Sequence, residues 1–338
     1  MYTKVNLKSI AQDLGLSVGT VSRILNGKAK QYRIGQKTVD LVTEYASKAS
    51  YSPNLIAKSL QSSQTQTIGL VIPDIANPFF AQMAQQIEQV ASIEDFSIIL
   101  VDSGEQIAKE KKQLKNLLSR SIDGIIVAPV GTEFTHFSEI QQRKIPLIFV
   151  DRYDKNGSIP YISSENFQAG FEATQYLIEQ GHRRIAIIKG DEAINSVQER
   201  HEGYKAALKK YHIPLDPRLQ TGDAFSIENG YQSTLQLIRQ VDRPTALFAL
   251  NNLIGLGVLK ALQEQSLSIP QDISVIVFDD QPYASFLNPP LTTIKQDIET
   301  IGQLAINFII QTLRLEPVQP TVQLIPTEMI IRKSVRRL

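Results

Sequence analysis

Cysteine is absent from all 338 residues, which excludes disulfide staples and thiolate-bound zinc. No apolar run approaches the length needed to cross a bilayer. The N-terminus carries neither an apolar core segment nor a small-residue cleavage site, so a cytoplasmic protein without a membrane partner is expected. Phosphate-loop spacing and the His-Glu-x-x-His zinc signature are missing, and the four histidines (His136, His182, His201, His212) are scattered. One stretch, Gly15-Leu-Ser-Val-Gly19, has the spacing of a nucleophile elbow. That motif works only between a strand and a helix, and here it follows a helix. The expectation is a protein that is not an enzyme and holds no cofactor or metal.

Charge is the next thing in short supply, but only on average. The formal net charge is +1. Residues 1–61 hold nine of the 35 Lys and Arg but only three of the 34 Asp and Glu, a local net of +6, which leaves −5 for the remainder. Such a split suggests a polyanion-binding module joined to a body that binds something else.

The basic end has a clear pattern. Asn6 is a good N-cap, and Leu7, Ile10, Ala11 and Leu14 follow at helical spacing. Gly15 ends that helix, and Ser17 caps a second one running from Val18 to about Leu25, with Val21 and Leu25 inward, before Asn26-Gly27 stops it. A third amphipathic helix is expected over 36–49, with Val39, Val42 and Ala46 inward. Two short helices across a tight turn are the helix-turn-helix geometry that lays a recognition helix in the DNA major groove. Its reading positions would be Val18, Gly19, Ser22 and Arg23. Arg23 can pair bidentately with guanine, worth roughly 1–3 kcal/mol of discrimination, and Val18 can pack on a thymine methyl. Ser17 and Thr20 suit phosphates.

From Thr67 onward short apolar runs alternate with amphipathic helical stretches. The runs are Ile68–Ile72, Ile98–Val101, Ile125–Val127, Leu147–Val150, Ile185–Ile188, Ala246–Leu250 and Ile273–Phe278. The helical stretches cover 79–92, 107–120, 167–180, 199–210, 228–240 and 252–265. This rhythm predicts parallel sheets covered by helices on both faces, with too many units for one sheet and hence two lobes.

Thr20-Val-Ser-Arg-Ile-Leu-Asn26 and Tyr51-Ser-Pro-Asn-Leu-Ile-Ala-Lys-Ser-Leu60 closely resemble the lactose-repressor/galactose-repressor (LacI/GalR) family of transcription regulators. The resemblance continues through Pro73-Asp-Ile-Ala-Asn-Pro-Phe-Phe80, Gly181-His-Arg-Arg184, Arg200-His-Glu-Gly-Tyr204 and Pro289-Pro-Leu-Thr-Thr-Ile294. It implies a small all-α helix-turn-helix DNA-binding domain (1–50), a hinge helix and linker (51–65), and an α/β periplasmic-binding-protein-like body of two Rossmann-like lobes. The implied lobes are 66–162 plus 291–317 and 163–290 plus 318–338, with crossovers near Ile162, Pro290 and Pro317. It implies a homodimer on double-stranded operator DNA, with Asn26, Tyr51, Asn54, Ala57, Lys58 and Leu60 joining the reading helix. Leu60 would wedge into a base step and kink the duplex. Two departures stand out: Lys58 replaces a frequent Arg, and Lys28-Ala-Lys-Gln-Tyr-Arg-Ile-Gly35 is longer than the common loop.

Ligands in such bodies sit at the carboxyl ends of strands between the lobes. The resemblance assigns Phe79 and Phe80 as stacking faces, Arg200 as a donor fork at the opening of a helix, Phe225 as an aromatic platform, and Asn251 and Asp279 as strand-end acceptors. A sugar effector is the first expectation and a nucleobase or nucleoside the second. A solute-binding protein without DNA function is the rival from another class. Beside these positions Asn252, Val277 and Ser164-Glu165 depart from the usual residues.

Overall fold

A computed structural model describes residues 5–49, 51, 64–155, 157, 159–317 and 322–338. The chain divides into two units, Met1–Thr65 and Gln66–Leu338.

In the first unit, helices α1 (Leu7–Asp13), α2 (Val18–Leu25) and α3 (Gln36–Lys48) surround a core of Ile10, Ala11, Val21, Ile24 and Val42. Asn6 and Ser9 form a reciprocal capping box, and the Ser17 side chain accepts from the Thr20 amide at 3.0 Å. Gly15 sits at φ +62°, the left-handed conformation that a tight exit from α1 requires. Ile24, rather than Leu25, is the fully inward residue of α2. Leu25 is only partly buried, because the last turn rotates it toward the rim.

The second unit is two α/β lobes. The first sheet has the order β11-β5-β4-β3-β1-β2, with β1 (Thr67–Ile72), β2 (Ser97–Asp102), β3 (Gly124–Val127), β4 (Leu147–Val150), β5 (Tyr161–Ser164) and β11 (Val322–Ile325), all parallel. Helices α4 (Pro78–Ile93) and α11 (Ile298–Leu313) cover one face of it, and α5 (Ile107–Leu118) and α6 (Ser138–Gln142) the other. The second sheet repeats the order as β12-β10-β9-β8-β6-β7. Its strands are β6 (Ile185–Ile188), β7 (Gln220–Thr221), β8 (Ala246–Ala249), β9 (Ser274–Phe278), β10 (Thr292–Gln296) and β12 (Thr327–Ile330), of which β12 alone is antiparallel. Helices α7 (Asn166–Glu179), α8 (Asn195–Lys210), α9 (Ile227–Ile238) and α10 (Asn252–Glu264) pack around it.

The chain passes between the lobes at three places: after Ser164, at Asp297, and at Pro326. The first lies two residues from the expected crossover. The other two fall seven and nine residues later than Pro290 and Pro317. The reason is pairing: β10 completes the second sheet beside β9 before the chain leaves, and β11 completes the first sheet beside β5 before Pro326 ends it. No described helix is long and apolar enough to cross a membrane.

Candidate functional site

The recognition helix presents Val18, Gly19, Ser22 and Arg23 on its free side, with Val18 44% exposed. Arg23 is not extended. Its guanidinium lies 4.0 Å over the ring of Tyr32, in the long loop between α2 and α3. Ala29 and Ile34 anchor that loop on the core, and the Ile34 amide donates to the Ala29 carbonyl at 3.0 Å. Stacking leaves the in-plane N–H edge of an arginine open to a base. Ser17 and Thr20, assigned to phosphates, bond to each other at 2.8 Å, and Asn26 donates to Ser22 at 3.2 Å. Tyr51 packs partly buried on the head core, and its amide donates to the Ala46 carbonyl. Asn54, Ala57, Lys58 and Leu60 lie outside the described residues.

In the body, all six assigned effector residues converge on one chamber between the lobes, lined by Phe79, Phe80, Arg200, Phe225, Asn251 and Asp279. Its volume is about 20 Å³, so the lobes are drawn together around it. Each lining residue sits where the fold puts it. Asn77 caps α4 through the Phe79 amide at 3.0 Å, which sets Phe79 and Phe80 edge to face at 5.0 Å. The two rings also belong to the first lobe's core, so packing and lining are one role. Phe225 lies against Gly190, where any side chain would collide with its ring. Asn251 caps α10 with its Oδ1, accepting from the Leu253 and Ile254 amides at 2.7 and 3.1 Å.

Arg200 does not open a helix. Helix α8 starts at Asn195, so Arg200 sits one turn in. Close crossing of α7 and α8 fixes it: a Cβ at Gly170 would stand 2.1 Å from the Arg200 carbonyl oxygen. Its Nε donates to Asn166 Oδ1 at 2.8 Å and one Nη to the Leu250 carbonyl at 2.7 Å, with the plane 3.4 Å over Phe278. Much of the expected fork is therefore engaged within the protein.

Sequence reasoning missed six lining residues: Asn77, Glu105, Asp151, Arg152, Ser196 and Gln296. Asp151 and Arg152 follow directly on β4, Glu105 lies three residues past β2 and Gln296 ends β10, in the region that the rule for ligands in α/β folds singles out. Asp151 and Asp279 are related by position. Each follows the fourth strand of its lobe in chain order, each is left-handed (φ +64° and +74°), and each amide donates to the next strand at 2.9 Å. Burial pushes both carboxyls up, Asp151 to about 6, and Arg152 and Arg200 oppose that shift. Gln296 donates to Asp279 Oδ1 at 2.7 Å and accepts from Ser164 Oγ at 2.6 Å, which ties the two lobes at a crossover. Asn252 donates to Asn77 Oδ1 at 2.8 Å, a second bridge between lobes. A wider groove of about 800 Å³ lies beside the crossovers, but it shares only Phe79 and Asp279 with the assigned residues.

A periplasmic binding protein-like domain matches residues 174–335. The HTH-type transcriptional repressor PurR of Haemophilus influenzae is 32% identical, covering 98% of this chain and 99% of its own. The ribose operon repressor of Halalkalibacterium halodurans is 30% identical, covering 98% of this chain and 97% of its own. The chain belongs to the LacI family of transcription regulators. The lac repressor dimer bound to operator and an anti-inducer is 26% identical, with TM-score 0.87 over 99% of this chain and 100% of that one. A LacI-family regulator from Enterococcus faecium with bound ribose is 30% identical, with TM-score 0.73 over 80% of this chain and 99% of that one. The helix-turn-helix head and the two-lobed body are thus the two working parts of a LacI-family repressor, one for DNA and one for a small effector.

Proposed function

We propose that this LacI-family chain is a cytoplasmic, non-enzymatic repressor, working as a homodimer, whose effector is a free monosaccharide of pentose size such as D-ribose. The observation that carries this reading is the chamber itself. Three phenylalanine rings supply flat apolar faces, and Asp151, Asp279, Arg152 and Arg200 supply acceptors and donors between them. A sugar ring needs both kinds of surface: its C–H face stacks on aromatics and its hydroxyls bond to fixed charged groups. Arg152 Nε is buried without a hydrogen bond, and Asp151 Oδ2 stands 3.7 Å from it. A hydroxyl oxygen accepts from the one and donates to the other. At about 20 Å³ the chamber must widen as the lobes part to admit even one sugar ring, and a chain of rings would need far more room. A ribose-bound relative and a ribose operon repressor among the similar proteins support the same class.

A ligand that bridges Asp151 of one lobe and Asp279 of the other favours the closed lobes over the open ones. The shift in that equilibrium is carried to the DNA through residues 51–65, and a coupling of roughly 1–3 kcal/mol changes operator affinity about 5–150-fold. Thermal-shift measurements on the full-length protein with D-ribose, cellobiose and hypoxanthine test the reading. Ribose alone is expected to raise the melting temperature, since ligand binding only to the folded state stabilises it. A rise with hypoxanthine alone would replace the sugar with a purine. For the head, Arg23→Ala is expected to relax base preference at one position of a site selected from random duplexes, at a cost of about 1–3 kcal/mol.

A further inference from the structure

The chamber's second arginine is committed before any ligand arrives. Arg152 Nη1 and Nη2 donate to Glu105 Oε2 and Oε1 at 2.7 and 2.6 Å, a two-pronged pair that occupies the terminal edge of the guanidinium. Phe80 and Phe225 sandwich the same guanidinium, with their ring centres 5.6 and 5.0 Å from Cζ. Glu105 is held for this task by its backbone. Gly104 and Glu105 are consecutive left-handed residues (φ +59° and +53°), and the Glu105 amide donates to the Pro73 carbonyl at 3.0 Å. That turn fastens the loop after β2 to the end of β1 and points the carboxylate at Arg152.

We infer that Glu105 sets the ligand class: it neutralises Arg152 and occupies its terminal edge, so that the chamber takes an uncharged sugar and rejects its phosphorylated form. This rests on the sugar reading above. An arginine fork that is free binds phosphate bidentately. Here the terminal edge of that fork is taken and its charge is met by Glu105, and the charged groups lining the chamber are two arginines against three carboxylates, Glu105, Asp151 and Asp279. The other edge of Arg152, whose Nε has no hydrogen bond, stands next to Asp151. A hydroxyl satisfies both neighbours, because it accepts and donates. A phosphate oxygen only accepts, so it meets Asp151 and Glu105 as like charges, with Arg152 already neutralised by Glu105. Glu105 acts through Arg152 and is a positioning residue.

Calorimetric titration of the full-length protein with D-ribose, D-ribose 5-phosphate and inorganic phosphate tests this in the wild type, Glu105→Gln and Glu105→Asp. The wild type is expected to prefer ribose over its phosphate by at least 100-fold. Glu105→Gln is expected to narrow that ratio at least tenfold and to gain measurable inorganic phosphate binding. Glu105→Asp, which keeps the charge, is expected to keep the wild-type ratio, a rescue that a packing role would not produce. A wild type that prefers the phosphorylated sugar, or a Glu105→Gln variant with an unchanged ratio and no gain in phosphate binding, overturns the inference. A wild type that binds neither sugar refutes the pentose reading instead. The inorganic phosphate titration of Glu105→Gln then still decides the role of Glu105.

Discussion

The two lobes share one strand order and diverge in what they place at the same point of it. After the fourth strand in chain order the first lobe has Asp151-Arg152 and the second has Asp279-Asp280. Both aspartates turn left-handed and face the chamber. The residue after each then differs in destination. Arg152 enters the chamber and is neutralised by Glu105, whereas Asp280 turns outward to pair with Arg332 at 2.7 Å. A repeated frame thus fixes the acceptors, and the residue beside each frame position decides what else the site offers.

The lobes also differ in how tightly their helices cross, and this gives the largest expected effect. In the second lobe, Gly170 and Gly203 let α7 and α8 touch backbone to backbone. In the first lobe, a Cβ added at Gly302 of α11 would stand 3.3 Å from the Gln86 Cβ and 3.5 Å from Ile87, close to ordinary contact. Gly170→Ala is expected to destabilise the body by about 3 kcal/mol, since the backbone at Arg200 cannot yield, and to lower its melting temperature by several degrees. A neutral Gly170→Ala would break the contrast.

Next come the paired aspartates. Asp279→Asn is expected to weaken ribose binding about 100-fold by titration, while operator binding in the absence of sugar survives. It removes a charged acceptor that Gln296 and the Asn252 amide hold in place. An equal loss from both positions would show that the frame, not the neighbourhood, sets their worth.

Asp151 should reveal itself through pH. Its carboxyl is pushed from 3.8 to about 6, mainly by burial, so between those values the folded chain binds more protons than the unfolded one. That contribution is complete below about pH 4 and is lost as pH rises through about 6, an effect on the order of 2 kcal/mol. Denaturant unfolding of Asp151→Asn is expected to lack that slope. The smallest effect is expected at Gly302→Ala, within about 0.5 kcal/mol of neutral, where a gain in helix propensity of roughly 1 kcal/mol offsets a slight crowding. Unfolding midpoints of this variant and Gly170→Ala together measure the difference between the lobes.

Much of this was legible in the residues. Apolar runs such as Leu147–Val150 and Ile185–Ile188 match the observed strands residue for residue, because a strand buried on both faces has no polar positions to blur its ends. Strand β5 and the strands around Pro326 escaped notice because Tyr161-Ile-Ser-Ser164 and the edge strands β11 and β12 mix polar and apolar residues. The amphipathic helix 298–313 was also unassigned, although its apolar face is plain in hindsight. The six assigned chamber residues were reached through motifs. Glu105 was not, since nothing in Ser103-Gly-Glu105 announces an arginine 47 residues away.

Local sequence therefore determined the elements, the caps, the cationic head and the residue types available at strand ends, because these depend on neighbours within a few positions. The tertiary structure alone decided which charges meet: that Glu105 takes the fork of Arg152, that Asn166 and Leu250 take much of Arg200, and that Tyr32 carries Arg23. Pairing between distant segments follows from how the sheets close and the helices cross, and that geometry is a property of the whole chain rather than of any stretch of it.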